Sequence, residues 1–241
     1  MKIVAIIQAR MGSTRLPGKV LRKIKDESVL AHVVNRVSQS NRVDDIVVAT
    51  TTNRIDDQIV DEVKKLNCTI YRGSESNVLE RYYRAAMKSD GDIIVRITSD
   101  CPLIDPIVID NMLEVFLQED YALVTNAGNK RTFPRGLDVE IFSKAILLKA
   151  LSHSTCNYQK EHVTPYMYEN EINIYHYKNS KDLSKYRWTL DTIEDYELIT
   201  VIYEELYKGK HNFYMQDIVK LFEDNEHLIN MNAHIVQKKV K

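Results

Sequence analysis

The chain has almost no net charge, few cysteines and no long hydrophobic run, and each shortage excludes a class of protein. Its 33 Lys and Arg face 34 Asp and Glu, for a formal net charge of -1. A general nucleic-acid binder normally shows a clear basic excess, so no nucleic-acid partner is expected. Cys68, Cys101 and Cys156 are odd in number and far apart, which suggests neither a disulfide framework nor a zinc motif. The first apolar run, residues 3–7, is too short for a signal-peptide core and leads straight into Gln8 and Arg10. No stretch approaches the roughly 18 apolar residues that a membrane span needs. The expectation is a reduced, cytoplasmic protein with no membrane partner.

What is present suits a globular protein. The chain has 241 residues, 44% hydrophobic and 28% charged, enough to bury a full core. Short β-branched runs at 3–7, 46–50, 69–71 and 92–97 alternate with helical periodicity through Val29–Val37, Ile59–Leu66 and Val78–Ala86. Asp105 and Pro106 supply an N-cap and an N1 proline for a helix burying Ile109, Met112, Leu113 and Phe116. This spacing predicts βαβ units and a mostly parallel sheet with helices on both faces. The second half is less regular. Strands are expected at 121–125 and 137–142, separated by a polar loop at 126–135. Residues 172–177 read as a strand projecting from the main sheet. Thr192 to Asp195 fits a capping box opening a helix, and two short helices and a basic tail follow. No linker splits the chain. One domain is expected over 1–241, in three parts at 1–120, 121–205 and 206–241, the last made of C-terminal helices and tail.

The near-zero charge hides a local imbalance. Residues 1–25 hold seven basic groups and no acid. Three of these, Arg10, Arg15 and Lys19, lie in Gln8-Ala-Arg-Met-Gly-Ser-Thr-Arg-Leu-Pro-Gly-Lys19, directly after the first expected strand. A loop there sits at the carboxyl end of a parallel strand, where α/β sheets bind ligands. Gly12 and Gly18 allow close backbone approach, Ser13 and Thr14 offer hydroxyls, and the three cations suit a polyphosphate. The spacing fits neither a Walker A loop nor G-x-G-x-x-G. Asp100 lies just past another buried strand, where a carboxylate can hold a divalent cation. Asp191 sits before the capped helix and could meet Asp100 across the sheet top. Asp105 and Asp195 are explained as caps.

Together these motifs resemble the cytidylyltransferases that make CMP-activated acidic sugars, the CMP-sialate and CMP-Kdo synthetases. The nearer likeness is to the spore coat polysaccharide (SpsF-type) branch. It rests on residues 5–21, on Arg72-Gly-Ser-Glu-Ser-Asn-Val-Leu-Glu-Arg-Tyr-Tyr-Arg84, on residues 96–106 and on Gly136-Leu-Asp-Val-Glu140. Glu161-His-Val-Thr-Pro-Tyr166 and residues 187–195 complete it, so that it covers roughly 1–205.

The resemblance implies a GT-A-type nucleotide-diphospho-sugar transferase fold. It implies CTP phosphates on Arg10, Gly12, Ser13, Arg15 and Lys19, with Ala9 near the nucleoside and Mg²⁺ on Asp100 and Asp191. Arg96 could replace a cation that Thr14 lacks, and Thr98 stands where CMP-Kdo relatives carry a Gln that reads cytosine. Arg15, Lys19, Asp100 and Asp191 are the expected catalytic groups. Arg72, Arg81, Asp138, Glu140, Glu161, His162 and Arg187 are expected to face the acceptor, a small acidic or sugar-like molecule. Asp138 and Glu140 are assigned to one face of a single strand. The resemblance further implies a nucleotide-binding half at 1–120 and an acceptor-binding and dimerisation half at 121–205, with a homodimer formed through 172–177. Two other readings stay open at this point, a GT-A glycosyltransferase consuming a nucleotide sugar and a catalytically silent nucleotide-binding subunit.

Overall fold

The strand β1 (Ile3–Gln8) lies in the interior of the sheet. Its residues 3–7 are buried on both faces, which explains their unbroken apolar run. The computed structural model describes residues 1–171 and 173–237. Position 172 and the basic C-terminal tail anticipated above fall outside that range.

After β1 come a small hairpin of β2 (Lys23–Ile24) and β3 (Glu27–Ser28) and the helix α1 (Val29–Val37), capped by Ser28, whose Oγ accepts from Ala31 N at 3.0 Å. The chain continues through β4 (Asp45–Thr51), α2 (Asp57–Val63), β5 (Thr69–Gly73), α3 (Val78–Lys88) and β6 (Ile93–Thr98). Next are α4 (Pro106–Gln118), β7 (Leu123–Thr125), β8 (Glu140–Ser143), α5 (Lys144–His153), α6 (Asn157–His162) and α7 (Pro165–Asn170). The last elements are β9 (Ile174–His176), α8 (Ile193–Leu206) and α9 (Met215–Asp224).

The main sheet runs β5-β4-β1-β6-β8-β7-β9. All its neighbours are parallel except β8, which is antiparallel to both β6 and β7. Ile3, Ala5 and Ile7 pack on one face with residues of α1, α4 and α8, whereas Val4 and Ile6 pack on the other with α3 and α5. This is an α/β fold with a central, mostly parallel sheet and helices on both sides. The chain winds outward from β1 to β4 and β5, then crosses back to β6 on the other side of β1. That reversal makes the carboxyl end of β1 a switch point, where a crevice opens for ligands.

The expected helices and strands of the first half form within about three residues, α2 ending at Val63 rather than Leu66, and Asp105 caps α4 by accepting from Ile107 N at 2.8 Å. The second half departs in three places. Residues 137–139 are not in a strand. Gly136 has φ 106 and Asp138 Oδ2 accepts from Gly136 N at 3.1 Å, so a turn closed by the acid itself keeps them out of the ladder. Strand β9 does not project; it lies parallel beside β7 as the sheet edge. Ala122 N reaches Asn173 O at 2.9 Å and Tyr177 N reaches Thr125 O at 2.8 Å, which satisfies its backbone there. Residues 144–170 form three helices without an apolar stripe clear enough to read; α5, for example, buries only Leu147 and Ala150.

Candidate active site

The loop after β1 folds inward at its far end. Ala9 N extends the ladder to Ala49 O at 3.1 Å, and Met11 N then donates to Asp56 Oδ1 at 2.8 Å. Asp56, 1% exposed at the start of α2, thereby anchors the loop. Ser13 Oγ accepts weakly from Leu16 N at 3.4 Å, Leu16 and Val20 are buried, and Gly18 takes the left-handed region at φ 66. This path turns Lys19 inward and leaves Arg10, Gly12 and Arg15 at the surface.

Lys19 Nζ lies 2.7 Å from Asp100 Oδ2, 2.8 Å from Asp191 Oδ1 and 2.8 Å from Leu190 O. Arg15 and Arg187 approach the other Asp191 oxygen at 2.8 and 3.1 Å. The two acids, far apart in sequence, therefore share one ammonium group. The backbone enforces this pairing, since Leu190 N donates to Asp100 O at 2.8 Å and Thr189 Oγ1 donates to the same carbonyl at 3.3 Å. Gly136 makes room for the second segment. A Cβ there would stand 2.5 Å from the Trp188 carbonyl carbon, and Trp188 N donates to Arg135 O at 2.7 Å.

Electrostatics follow from this clustering. Crowding by protein pushes the Asp100 carboxyl up, but the Lys19 charge and the hydrogen bonds of Lys19 and Thr98 outweigh it and hold Asp100 below the ordinary carboxylate value. Burial opposes the charge on Lys19, and Asp100 and Asp191 overcome that opposition, raising its pKa. A quarter of the Asp100 side chain remains open to solvent. Two carboxylates already converging on one cation offer the hard oxygen donors that Mg²⁺ prefers, so the residues fit such an ion.

Several residues expected at the site have other tasks. Thr98 donates to Asp100 Oδ1 at 2.6 Å and orients that acid. Arg96 pairs with buried Glu140 and donates weakly to Gln8 Oε1 at 3.4 Å, and Glu140 also accepts from Tyr168 OH at 2.7 Å and Thr164 Oγ1 at 3.2 Å. Asp138 pairs instead with Arg131. The two acids therefore do not share one strand face, because only Glu140 is in β8. Arg187 belongs to the acid pair rather than to a separate wall, holding Asp195 at 2.9 Å as well as Asp191. Asp195 caps α8 as expected and also accepts from Asp191 N at 2.9 Å.

Arg72 donates to Thr51 O and Asn53 O and pairs with Asp57, and Arg81 donates to Ser74 O, so both brace the loops after β4 and β5. Glu161 is exposed at the end of α6. Beside it, burial lowers the pKa of His162, Glu161 opposes that, and the charges of Arg96 and Arg10 add to it. Val163 follows at φ 72, a strained value for a β-branched residue. Asp56, Thr164, Tyr168, Arg131 and Arg135 escaped the sequence reading, because each matters only through a partner distant in the chain. A cavity of about 410 Å³ lined by Asn179, Leu183, Val219 and Glu223 lies apart and shares none of these residues.

The sheet, with cations and acids gathered at the carboxyl end of β1, defines an α/β fold of the nucleotide-handling class. The chain matches the family model described as cytidylyltransferase over residues 4–238. A cytidylyltransferase structure from Leptospira borgpetersenii has a TM-score of 0.91 and 38% identity, covering 99% of this chain and 100% of that one. The spore coat polysaccharide biosynthesis protein SpsF of Bacillus subtilis is 34% identical over 215 residues, 84% of this chain and 87% of its own. A CMP:2-keto-3-deoxy-manno-octonic acid synthetase complexed with CTP has a TM-score of 0.67 at 20% identity, covering 85% of this chain and 99% of that one, a likeness that bears on the fold alone. This chain belongs to the cytidylyltransferase family. It is an enzyme, a nucleotidyltransferase that uses CTP. Among the described residues no helix is long and apolar enough to cross a membrane.

Proposed function

We propose that the protein transfers CMP from CTP to a small acidic, sugar-like acceptor, releasing pyrophosphate, in surface polysaccharide or glycoconjugate assembly. The observation that carries this reading is Lys19 bridging Asp100 and Asp191 at the carboxyl end of β1. An acceptor hydroxyl gives its proton to solvent as its oxygen attacks the α-phosphorus, the bond to the bridging oxygen breaks, and pyrophosphate leaves. Arg10, Ser13 and Arg15 bind the phosphates, and Lys19 neutralises the departing charge. Asp100 and Asp191 would hold Mg²⁺, which when bound supplies Lewis-acid charge at the phosphates. Thr98 and Arg187 keep those two carboxylates aimed, while Ala9 and Gly12 line the nucleotide.

The acceptor is assigned to the side of the sheet where Arg96, Glu140, Thr164 and Tyr168 form a buried polar network next to Glu161 and His162. Such a network offers fixed donors and acceptors for hydroxyl groups, and the strained Val163 beside it fits a built site. Asp138 and Arg131 would form its outer wall. Arg72 and Arg81 would act by holding the loops that border it. Identity to SpsF of Bacillus subtilis favours the spore coat branch and, with it, a GT-A-type fold acting as one cytoplasmic domain. A homodimer joined along the β9 edge completes the reading, with Tyr175 38% exposed there and its ring tilted against that of Tyr121 at 5.1 Å.

A nucleotide-by-acceptor screen read by pyrophosphate release tests the reading. CTP with Mg²⁺ and an acidic sugar should give turnover, and Asp100→Asn or Asp191→Asn should lower it by about 10² or more. Undiminished turnover in both variants would remove the metal assignment. Release of a nucleoside diphosphate from a nucleotide sugar would mark a glycosyltransferase instead.

A further inference from the structure

A second cluster of metal-ligating side chains shares no residue with the acid pair. Glu27 in β3, His32 in α1 and His211 in the loop after α8 bring one ligand atom each within 4.8 Å of one another. His32 is fully buried, and its Nε2 lies 2.9 Å from Ile24 O while its Nδ1 lies 2.8 Å from His211 Nε2. A carbonyl can only accept, so Nε2 of His32 carries the proton and Nδ1 presents a lone pair toward His211. An imidazole whose far nitrogen is tied to a backbone carbonyl is the tautomer that metal sites use.

The remaining ligands are also held. Glu27 accepts from Tyr207 OH at 2.7 Å and from Asn35 Nδ2 at 2.6 Å, which leaves further carboxylate lone pairs open. The loop carrying His211 turns at Gly209, φ 83, and is fastened by buried Arg36, which donates to Phe213 O at 2.9 Å.

We propose that Glu27, His32 and His211 form a binding site for one divalent transition-metal ion of the zinc class. Two imidazoles and one carboxylate are a donor set for zinc and its neighbours, whereas Mg²⁺ prefers oxygen alone. Three protein ligands leave a fourth position for water. For bonds of about 2.0–2.1 Å, the two nitrogens part by roughly half an ångström and the carboxylate closes in. His211 moves its proton to its other ring nitrogen through solvent, so no net proton is released. The ion ties the hairpin that follows Lys19 to α1 and to the loop after α8, and its effect is to stiffen the outer end of the nucleotide loop.

Chelator-stripped full-length protein titrated with Zn²⁺, and separately with Co²⁺, tests the site. One equivalent should bind, the visible Co²⁺ spectrum should show a four-coordinate site, and saturating Zn²⁺ should raise Tm by about 5 °C. His211→Ala should abolish that equivalent and Glu27→Gln should weaken it at least about tenfold, both still melting cooperatively. His211→Gln serves if the alanine variant does not fold. Asp191→Asn should keep the equivalent, which separates this site from the acid pair. No saturable binding by the unmodified chain, affinity unchanged in the His211 variant, or loss of the equivalent in Asp191→Asn would each overturn the proposal.

Discussion

Lys19 is the residue on which the site turns. Its ammonium is the charge shared by Asp100 and Asp191, and the Asp100 carboxylate also accepts from the Thr98 hydroxyl at 2.6 Å and the Cys101 thiol at 3.7 Å. Lys19→Met should cost about 2 kcal/mol in urea unfolding near neutral pH, less than a fully buried pair because Asp100 is partly open. The loss should shrink in acid, where Asp100 can take up a proton. Thr98→Val removes a hydrogen bond to a charged group and should lower kcat/KM about tenfold. Steady-state kinetics with fold checked by circular dichroism would read that change. At this scale the sequence was partly legible. Basic residues after a strand, an acid at a later strand end and an acid just before a capped helix mark Lys19, Asp100 and Asp191 by position alone. Thr98, Asp56 and Arg187 owe their roles to partners brought together by folding, so no local pattern announces what each one holds.

Among the elements, the strap 131–137 decides where the second acid stands. It bonds to the 186–188 segment on both sides, Arg135 N to Tyr186 O at 3.0 Å and Trp188 N to Arg135 O at 2.7 Å. Gly136 is required there, since its φ is 106 and a Cβ would strike the Trp188 backbone. Gly136→Ala should therefore cost more than about 2 kcal/mol and disturb Asp191 together with the strap. Thermal melts should show the destabilisation, and a smaller loss in Gly128→Ala, where nothing lies near the added carbon, serves as the control. The first-half elements were readable because buried parallel strands are continuous apolar runs and their helices carry clear stripes. Residues 137–139 misled because alternation alone cannot reveal that Asp138 closes a turn on Gly136, whereas 140–142 join β8 as expected. The position of β9 was likewise hidden, since nothing local states which strand an edge will join.

For the whole molecule, pH is a direct probe of the buried groups. Burial, with the His32 and Arg36 charges against Glu27, pushes His211 down from 6.5 to about 4, and burial also lowers His32. Their neutral forms are favoured only in the folded chain, so the unfolded chain binds more protons in acid. Stability from this pair is complete above pH 6.5 and is lost as pH falls toward 4 in metal-free buffer. Asp100, also depressed, adds a further loss below the ordinary carboxylate range. His211→Gln should flatten the pH dependence of Tm between those limits. Light scattering at micromolar concentration tests the assembly: a dimer is expected, and a dimer that persists after Tyr175→Glu would move the interface away from β9.

The central claim is that Asp100 and Asp191, held together through Lys19, are the metal-binding acids of a CTP site. Crystals grown with CTP and Mn²⁺ test it most directly through anomalous scattering. A manganese peak bonded to both carboxylates is expected, with the CTP phosphates beside Arg15 and Lys19. Bound CTP with manganese elsewhere, and with Lys19 still joining the two acids, would contradict it.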